Sequence, residues 1–370
     1  MNAELLNTLE KNHLEQFGKI DQKVFSSGRI NVLGEHIDYN DGIVLPAGIQ
    51  LGVYIVFSYR KDTKIHVEAR DLKESYLDDL EGFSFEKSND WRDYVKGMIA
   101  VLELQPDQGA NISFSSDLPI GMGLSSSAAL SNALGKILNQ AYSLNFTDLE
   151  LASKTVYLER EYIGLECGIM DPFASFFAKK DELIILDCEH ETWEYLPFSK
   201  DYKFLLINSG KSHKLRDSEY NRRRETCREI LSHLKLNSFK NLDLNLLGSN
   251  KGSLSEVQYK RARYITEEFI RVKKAINAIK TNDYGELGSL MNATHLGLKN
   301  HYEVSTKGLD KLQQWADSVD GVLGSRLMGG GFGGCTLNLI QADKQREIIK
   351  QIPSGFDHIV VEIGGGTYTF

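Results

Sequence analysis

The spacing of apolar and polar positions divides the chain into recognisable elements. Residues 3–17 set Leu5, Leu9 and Phe17 among charged positions, which predicts a short amphipathic helix. From Val24 the period shortens, and residues 30–33, 53–58 and 65–69 read as extended segments. A helix over 91–103 and a strand over 111–115 follow. Leu130, Ala133, Leu134, Ile137, Leu138 and Ala141 then fall on one helical face. Residues 148–163 read as a second helix, with Thr147 as its N-cap. Asp171-Pro172 before an apolar run marks another helix start, with Asp171 at or near the N-cap and Pro172 at the first helical position. Strands are expected at 183–186 and 204–207, then helices at 215–234, 257–279 and 284–299. The end of the chain reads as strands at 322–327, 335–340 and 358–361, with a helix at 344–351. No internal repeat or long linker interrupts this order, so the pattern is α+β with two closely packed halves. Their boundary falls between Ala178 and Tyr202, giving expected domains 1–180 and 181–370.

Composition narrows the class. Among 370 residues, 41% are hydrophobic and 25% charged, the balance of a soluble globular protein. A net charge of −8 supplies no basic field, which excludes nucleic-acid and membrane-surface partners. Arg222, Arg223 and Arg224 do cluster, but Glu219, Glu225 and Glu229 surround them, so a solvated helix face is expected. Cys167, Cys188, Cys227 and Cys335 are widely spaced and suit neither a zinc site nor a disulfide framework. The longest strongly apolar run, residues 51–57, is too short to span a bilayer. Glu4, Glu10 and Lys11 break up the first leucines, so that stretch does not read as a signal peptide. A cytoplasmic location is expected.

Two loops carry chemistry. Residues 117–141 run from a loop with Pro119, Gly121 and Gly123 into a helix, with Ser125, Ser126, Ser127 and Ala128 at the junction. A helix N-terminus presents unsatisfied N–H groups and a positive dipole end, so this junction reads either as a phosphate cradle or as a serine-capped helix. The polar loop 34–42 carries Glu35, His36 and Asp38 between apolar strands, either as a binding surface or as a solvated hairpin turn. GGGFGG at 329–334 satisfies GxGxxG formally, but the alternating CTLNLI that follows reads as a strand. A dinucleotide site needs a helix there, so that reading fails. No GxxxxGK[ST] loop is present either; Gly135-Lys136 is followed by Ile137.

Separated motifs now align with one family. PIGMGLSSSAA at 119–129 resembles the phosphate loop of the GHMP small-molecule kinases, and MGGGFGGC at 328–335 resembles their C-terminal glycine motif. GRINVLGEHIDYN at 28–40 resembles the signature of the galactokinase branch. The likeness continues at CGIMD (167–171), DSEYNRR (217–223), RAR (261–263), LMN (290–292) and in WRDYVKG at 91–97. The resemblance implies a two-domain architecture: an N-terminal ribosomal-protein-S5-like α/β domain and a C-terminal ferredoxin-like α+β domain, with the active site between them. It implies transfer of the ATP γ-phosphate to the C1 hydroxyl of galactose. Arg29, Glu35, His36, Asp38, Gly168, Asp171 and Tyr220 would surround the sugar. Asp171 would act as base or orienting acceptor, with Arg29 as electrostatic stabiliser. Gly121, Gly123, Leu124, Ser125, Ser126, Ser127 and Ala128 would hold the nucleotide, with Trp91 walling the adenine. Ser127 and Glu159 would hold Mg2+. Without the family's register, Glu159 reads as a solvated helix residue beside Arg160 and Glu161.

The chain departs from the family pattern at Ile37, where Thr is common, at Pro172, where Gln is usual, and at His301, where Asp is expected. These changes keep open a kinase for N-acetylgalactosamine or L-arabinose. A non-enzymatic galactose sensor is the other alternative, although Ser127-Ala128-Ala129, Asp171 and Arg29 are all present. Small-molecule substrates, and a monomer or at most a weak homodimer, are expected.

Overall fold

A computed structural model describes residues 2–210 and 216–370. Leu215, the first residue of the helix expected at 215–234, lies outside the described residues.

The long alternating segments assemble into a six-stranded sheet. Its order is Tyr368–Thr369, Gln22–Asn31, Pro46–Tyr59, Ala110–Ser116, Lys64–Ala69 and Glu74–Asp79. All neighbours are antiparallel except Lys64–Ala69 beside Ala110–Ser116. The helix Ala3–Phe17 covers one face through Leu6 and Leu9, and its buried His13 lies between Ser58 Oγ (3.0 Å) and Ser113 Oγ (2.8 Å). Burial lowers that imidazole to about 4. On the other face lie Ser126–Ala141 and Met170–Phe177. The first buries Leu130, Ala133, Leu134, Ile137 and Leu138, the stripe its 3.6-residue period predicts. Asn132 Nδ2 donates to Pro172 O at 2.9 Å and ties the two helices together.

A second, wholly antiparallel sheet has the order Val322–Leu327, Cys335–Gln341, Tyr202–Asn208 and His358–Val361. Glu256–Lys280, Tyr284–Asn300 and Lys307–Asp317 pack around it and each other. The strand Cys335–Gln341 directly after the glycine run confirms why a dinucleotide loop fails there. Just past the expected boundary at 180, Glu182–Asp187 pairs with Ile43–Val44, and Tyr368–Thr369 pairs with Gln22–Asn31. Segments beyond residue 180 therefore add strands to the first half.

Three local readings are corrected. The 148–163 helix begins as foreseen, with Thr147 and Glu150 forming a capping box, but it is α-helical only over Asp148–Tyr157. Leu158–Ile163 widens into a π-helical turn, and Glu159, on the face of buried Ala152 and Thr155, points inward with 3% exposure, so it is no solvated residue. Asp171 is near the N-cap rather than at it, two residues past Ile169, and Pro172 takes the third helical position, two deeper than expected, still within the first turn of Met170–Phe177. The arginine cluster is a solvated face only at Arg222, which is exposed and 3.8 Å from Glu219; the other two arginines turn inward. Arg223 is buried and donates to Tyr302 O (3.1 Å), Glu303 O (2.9 Å) and Glu219 Oε2 (2.8 Å). Arg224 Nη1 donates to Glu166 O at 2.7 Å.

Candidate active site

The loops that the sequence marks as polar converge on one cavity of about 310 Å³ between the two sheets' helices. At its centre Arg29 forks onto Asp171, with Nε to Oδ1 and Nη2 to Oδ2 both at 2.7 Å. Pairing within Gln22–Asn31 shifts register between Ser27 and Arg29, a bulge that re-aims the strand at this point. Gly28 permits it, because a Cβ there would fall 2.9 Å from Leu124 O and closer still to Leu118. Arg29 Nη1 also donates to Gly123 O at 2.7 Å, which joins the phosphate-loop candidate to the carboxylate. Burial opposes the Arg29 charge, yet Asp171 outweighs it and raises the guanidinium above its usual range.

Ser125 decides between cradle and cap. It precedes the helix Ser126–Ala141 in a left-handed conformation (φ 57°) and makes no capping bond. Its hydroxyl instead donates to Asp171 Oδ2 at 2.5 Å. The Ser125 side chain therefore does not cap the first-turn N–H groups, an arrangement compatible with a phosphate cradle and unlike a serine-capped helix. Gly121 and Gly123 also have positive φ (80° and 71°) and line the same cavity. Across from them lie Gly329 and Gly330 of the C-terminal glycine run. Cys335 Sγ donates to Met122 O (3.0 Å), and Ser209 holds Gly334 O. This glycine run thus serves close packing of two loops.

At the other end stand Glu35, His36, Asp38, Gly168 and Tyr220. Glu35 is fixed by Arg326 Nη1 (3.0 Å) and by the Gly329 N–H (2.8 Å), and Tyr264 Oη donates to its carbonyl at 2.9 Å. Behind the loop, buried Glu268 accepts the Gly34 N–H at 2.9 Å. Asp38 is driven up to about 7 by burial and by the charges of Asp171 and Glu35. Its carboxylate lies so near the Gly168 backbone that a Cβ there would stand 2.0 Å from Asp38 Oδ2. Only glycine fits at 168.

Glu159 lies on the side of the serine-rich loop. Its Oε1 accepts from Ser127 Oγ at 3.3 Å and its Oε2 from Cys167 Sγ at 3.1 Å. Burial and the Asp171 charge push it up to about 7, and among the described residues no cationic side chain forms an ion pair with it. A buried carboxylate beside a hydroxyl, without a paired cation, is an oxygen-donor set suited to a divalent ion.

Of the residues singled out in the sequence, Arg29, Glu35, His36, Asp38, Gly121, Gly123, Leu124, Ser125, Ser126, Ser127, Glu159, Gly168, Asp171 and Tyr220 line this cavity. Ala128 lies wholly buried behind it. Trp91 is not brought to it: its ring meets Phe114 edge-on and its Nε1 donates to Glu74 Oε2 at 2.7 Å. Tyr94, three residues on, lines the wall instead, with Ile163, Leu165 and Met170. None of the three departures from the family pattern reaches the cavity. Ile37 and Pro172 are buried elsewhere, and His301 stands 3.9 Å from Glu267.

A helix N-terminus left open beside a paired carboxylate, between an S5-like half and an antiparallel α+β half, defines a GHMP kinase. Residues 93–179 match the GHMP kinases N-terminal domain and residues 274–358 the GHMP kinases C-terminal family. Residues 11–59 match the galactokinase galactose-binding signature. A galactokinase of Clostridium perfringens is 37% identical over 366 residues, covering 95% of this chain and 94% of the relative. One of Thermotoga maritima is 39% identical over 315 residues, covering 84% and 87%. The crystal structure of Lactococcus lactis galactokinase complexed with galactose superimposes with a TM-score of 0.93 at 33% identity, covering 98% and 99%. The Methanococcus jannaschii mevalonate kinase shares the fold alone, with a TM-score of 0.65 at 20% identity over 94% and 99%. The chain belongs to the galactokinase family and is an ATP-dependent sugar kinase.

Proposed function

We propose that this kinase transfers the ATP γ-phosphate to the C1 hydroxyl of galactose, with Asp171 receiving or orienting the hydroxyl proton. The observation that carries this reading is the Arg29–Asp171–Ser125 cluster, which sits where the helix N-terminus meets the sugar loop. Arg29 and Ser125 place one donor on Oδ1 and two on Oδ2, so an acceptor position remains on Oδ1 for a substrate hydroxyl. Phosphoryl transfer through a loose transition state asks mainly for alignment and charge neutralisation. Arg29 supplies positive charge beside the nucleophile, and the amides of residues 125–128 supply it beside the phosphates. Glu35, His36, Asp38 and Tyr220 would bind the sugar hydroxyls, and an epimer would leave one of these buried groups unpaired. Because Ile37, Pro172 and His301 stand away from the cavity, they give no reason to prefer another sugar.

Ser127 and Glu159 would hold Mg2+, which when bound neutralises phosphate charge during transfer. Glu159→Gln should raise the Mg2+ concentration for half-maximal rate by at least the roughly 10–100-fold that losing an indirect metal partner costs. Galactose affinity measured without nucleotide should not change. An unaltered Mg2+ requirement would remove Glu159 from the metal site.

Asp38 gives the reading a pH signature. Its native value near 7 lies above the ordinary carboxylate range, so in the empty site ionisation costs stability as pH climbs toward 7. A sugar hydroxyl donating to the ionised carboxylate reverses that preference. Between pH 6 and 8 the ionised share rises from about a tenth to about nine-tenths, so KM for galactose should fall about tenfold. Asp38→Asn should flatten the profile. A KM that rises with pH would mean that Asp38 binds sugar as a protonated donor.

A further inference from the structure

Behind the sugar loop runs a string of polar groups that the reaction itself does not use. Asn40 Nδ2 lies 2.8 Å from His36 O, a bond that only the NH2 side of the amide can make, so the amide's orientation is fixed. The same nitrogen donates to Cys227 Sγ at 3.6 Å. Cys227 Sγ is 3.3 Å from Tyr302 Oη, which is 2.9 Å from Tyr39 Oη, which in turn is 2.8 Å from His36 Nδ1. Asn40, Cys227 and Tyr302 are buried, and Tyr39 packs against the core. Burial pushes the Cys227 thiol and both phenols up, so each member of the string keeps its single proton.

Asn40 fixes one end of the string, and the thiol's need for an acceptor sets the direction of the rest. Cys227 sulfur accepts from Asn40 and spends its S–H on Tyr302; Tyr302 donates to Tyr39, and Tyr39 donates to His36 Nδ1. In the opposite direction the sulfur, a weak acceptor, would receive from both Asn40 and Tyr302. Its own buried S–H would then have no acceptor among the described residues, which burial penalises. We propose that this relay fixes His36 as the Nε2–H tautomer, making the imidazole a hydrogen-bond donor to the sugar. Tyr39, Tyr302 and Cys227 are then positioning residues for substrate recognition. The chemistry is complementary: Asp38 and Asp171 can only accept from a hydroxyl when ionised, whereas His36 donates to a hydroxyl's lone pair. A wall holding both roles reads a pattern of hydroxyls rather than a single one. The tautomer is tied to the direction of the relay; its effect on sugar binding rests on the galactose reading above.

The test uses the full-length protein labelled with 15N-histidine, with the His36 signals assigned by their loss in His36→Asn. Two-bond nitrogen–proton correlations in the wild type should show a protonated Nε2 and an unprotonated Nδ1. Tyr302→Phe removes the link that fixes the donor direction of Tyr39, so both tautomers should appear. KM for galactose should rise several-fold in that variant, while kcat and KM for ATP stay within about twofold. Cys227→Ala should move the spectrum the same way, and Cys227→Ser, which can still accept and donate, should restore the wild-type pattern. A wild-type His36 protonated on Nδ1, or a tautomer unmoved in both Tyr302→Phe and Cys227→Ala, overturns the proposal. Absence of galactose turnover by the wild type would count against the sugar reading, and the nitrogen spectrum would still decide the relay.

Discussion

Asp171→Asn should lower kcat by about 10²–10⁴-fold, the usual contribution of a positioned acid or base, while galactose affinity changes little. The carboxamide fills the same space and can still accept from Arg29, but its NH2 presents a donor where the C1 hydroxyl needs an acceptor. Ser125 Oγ and Arg29 both donate to this side chain, so one edge of the amide also meets a donor with a donor. Isothermal titration with galactose and a single-turnover assay separate binding from transfer. Near wild-type transfer in the variant would remove Asp171 from the mechanism.

The second large effect concerns a residue remote from the reacting atoms. Arg326 is wholly buried in the strand Val322–Leu327. Its guanidinium binds Val32 O and Leu327 O at 2.7 Å each, Asn31 O, and Glu35 Oε1 at 3.0 Å. It therefore fastens the C-terminal sheet to the end of the strand Gln22–Asn31 and to the sugar loop. Arg326→Met should destabilise the fold by about 3–5 kcal/mol, because Glu35 and the carbonyls would stay buried without their cation. Arg326→Lys should recover only part of this, since an ammonium cannot span the same fork of acceptors. Equilibrium urea unfolding measures both variants, and a loss below about 1 kcal/mol, the range of an exposed pair, would mean that this clamp is not what holds the halves together.

What could be read from the sequence, and what could not, follows from the range of the interactions. The loops 28–40, 119–129 and 167–171 were legible because short-range chemistry concentrates there: glycines at positive φ, a serine run at a helix start, and acidic groups between apolar strands. The helix stripe from Leu130 to Leu138 was equally plain, since a 3.6-residue period needs no partner to be recognised. Arg326 was silent because its partner Glu35 lies 291 residues away and its own neighbours read as an ordinary strand. Arg223 was misread for a related reason. Its acidic neighbours suggested a solvated face, whereas the acceptors that bury it are carbonyls of residues 302 and 303. The π-helical turn at Leu158–Ile163 leaves no trace in an apolar period, and Glu159, which continues the buried face of Ala152 and Thr155 toward the cavity, was masked by its charge and by its neighbours Arg160 and Glu161. Tyr94 had a faint signal, one helical turn beyond Trp91 in the same motif.

The sugar and nucleotide ends are one connected device. Arg29 touches the carboxylate of Asp171 and the carbonyl of Gly123, and Ser125, in the proposed cradle, donates to Asp171, the proposed base. A phosphate that displaces the Ser125 hydroxyl would therefore be felt at Asp171, coupling nucleotide arrival to the state of the nucleophile. The most direct measurement of the whole account is ADP release by the wild-type protein with ATP and Mg2+ across a panel of sugars: galactose, its C4 epimer glucose, N-acetylgalactosamine and L-arabinose. The account predicts rapid release with galactose, with phosphate found on C1, and little with glucose. Galactose that binds without releasing ADP, or a panel in which N-acetylgalactosamine or L-arabinose clearly outpaces it, would contradict the account.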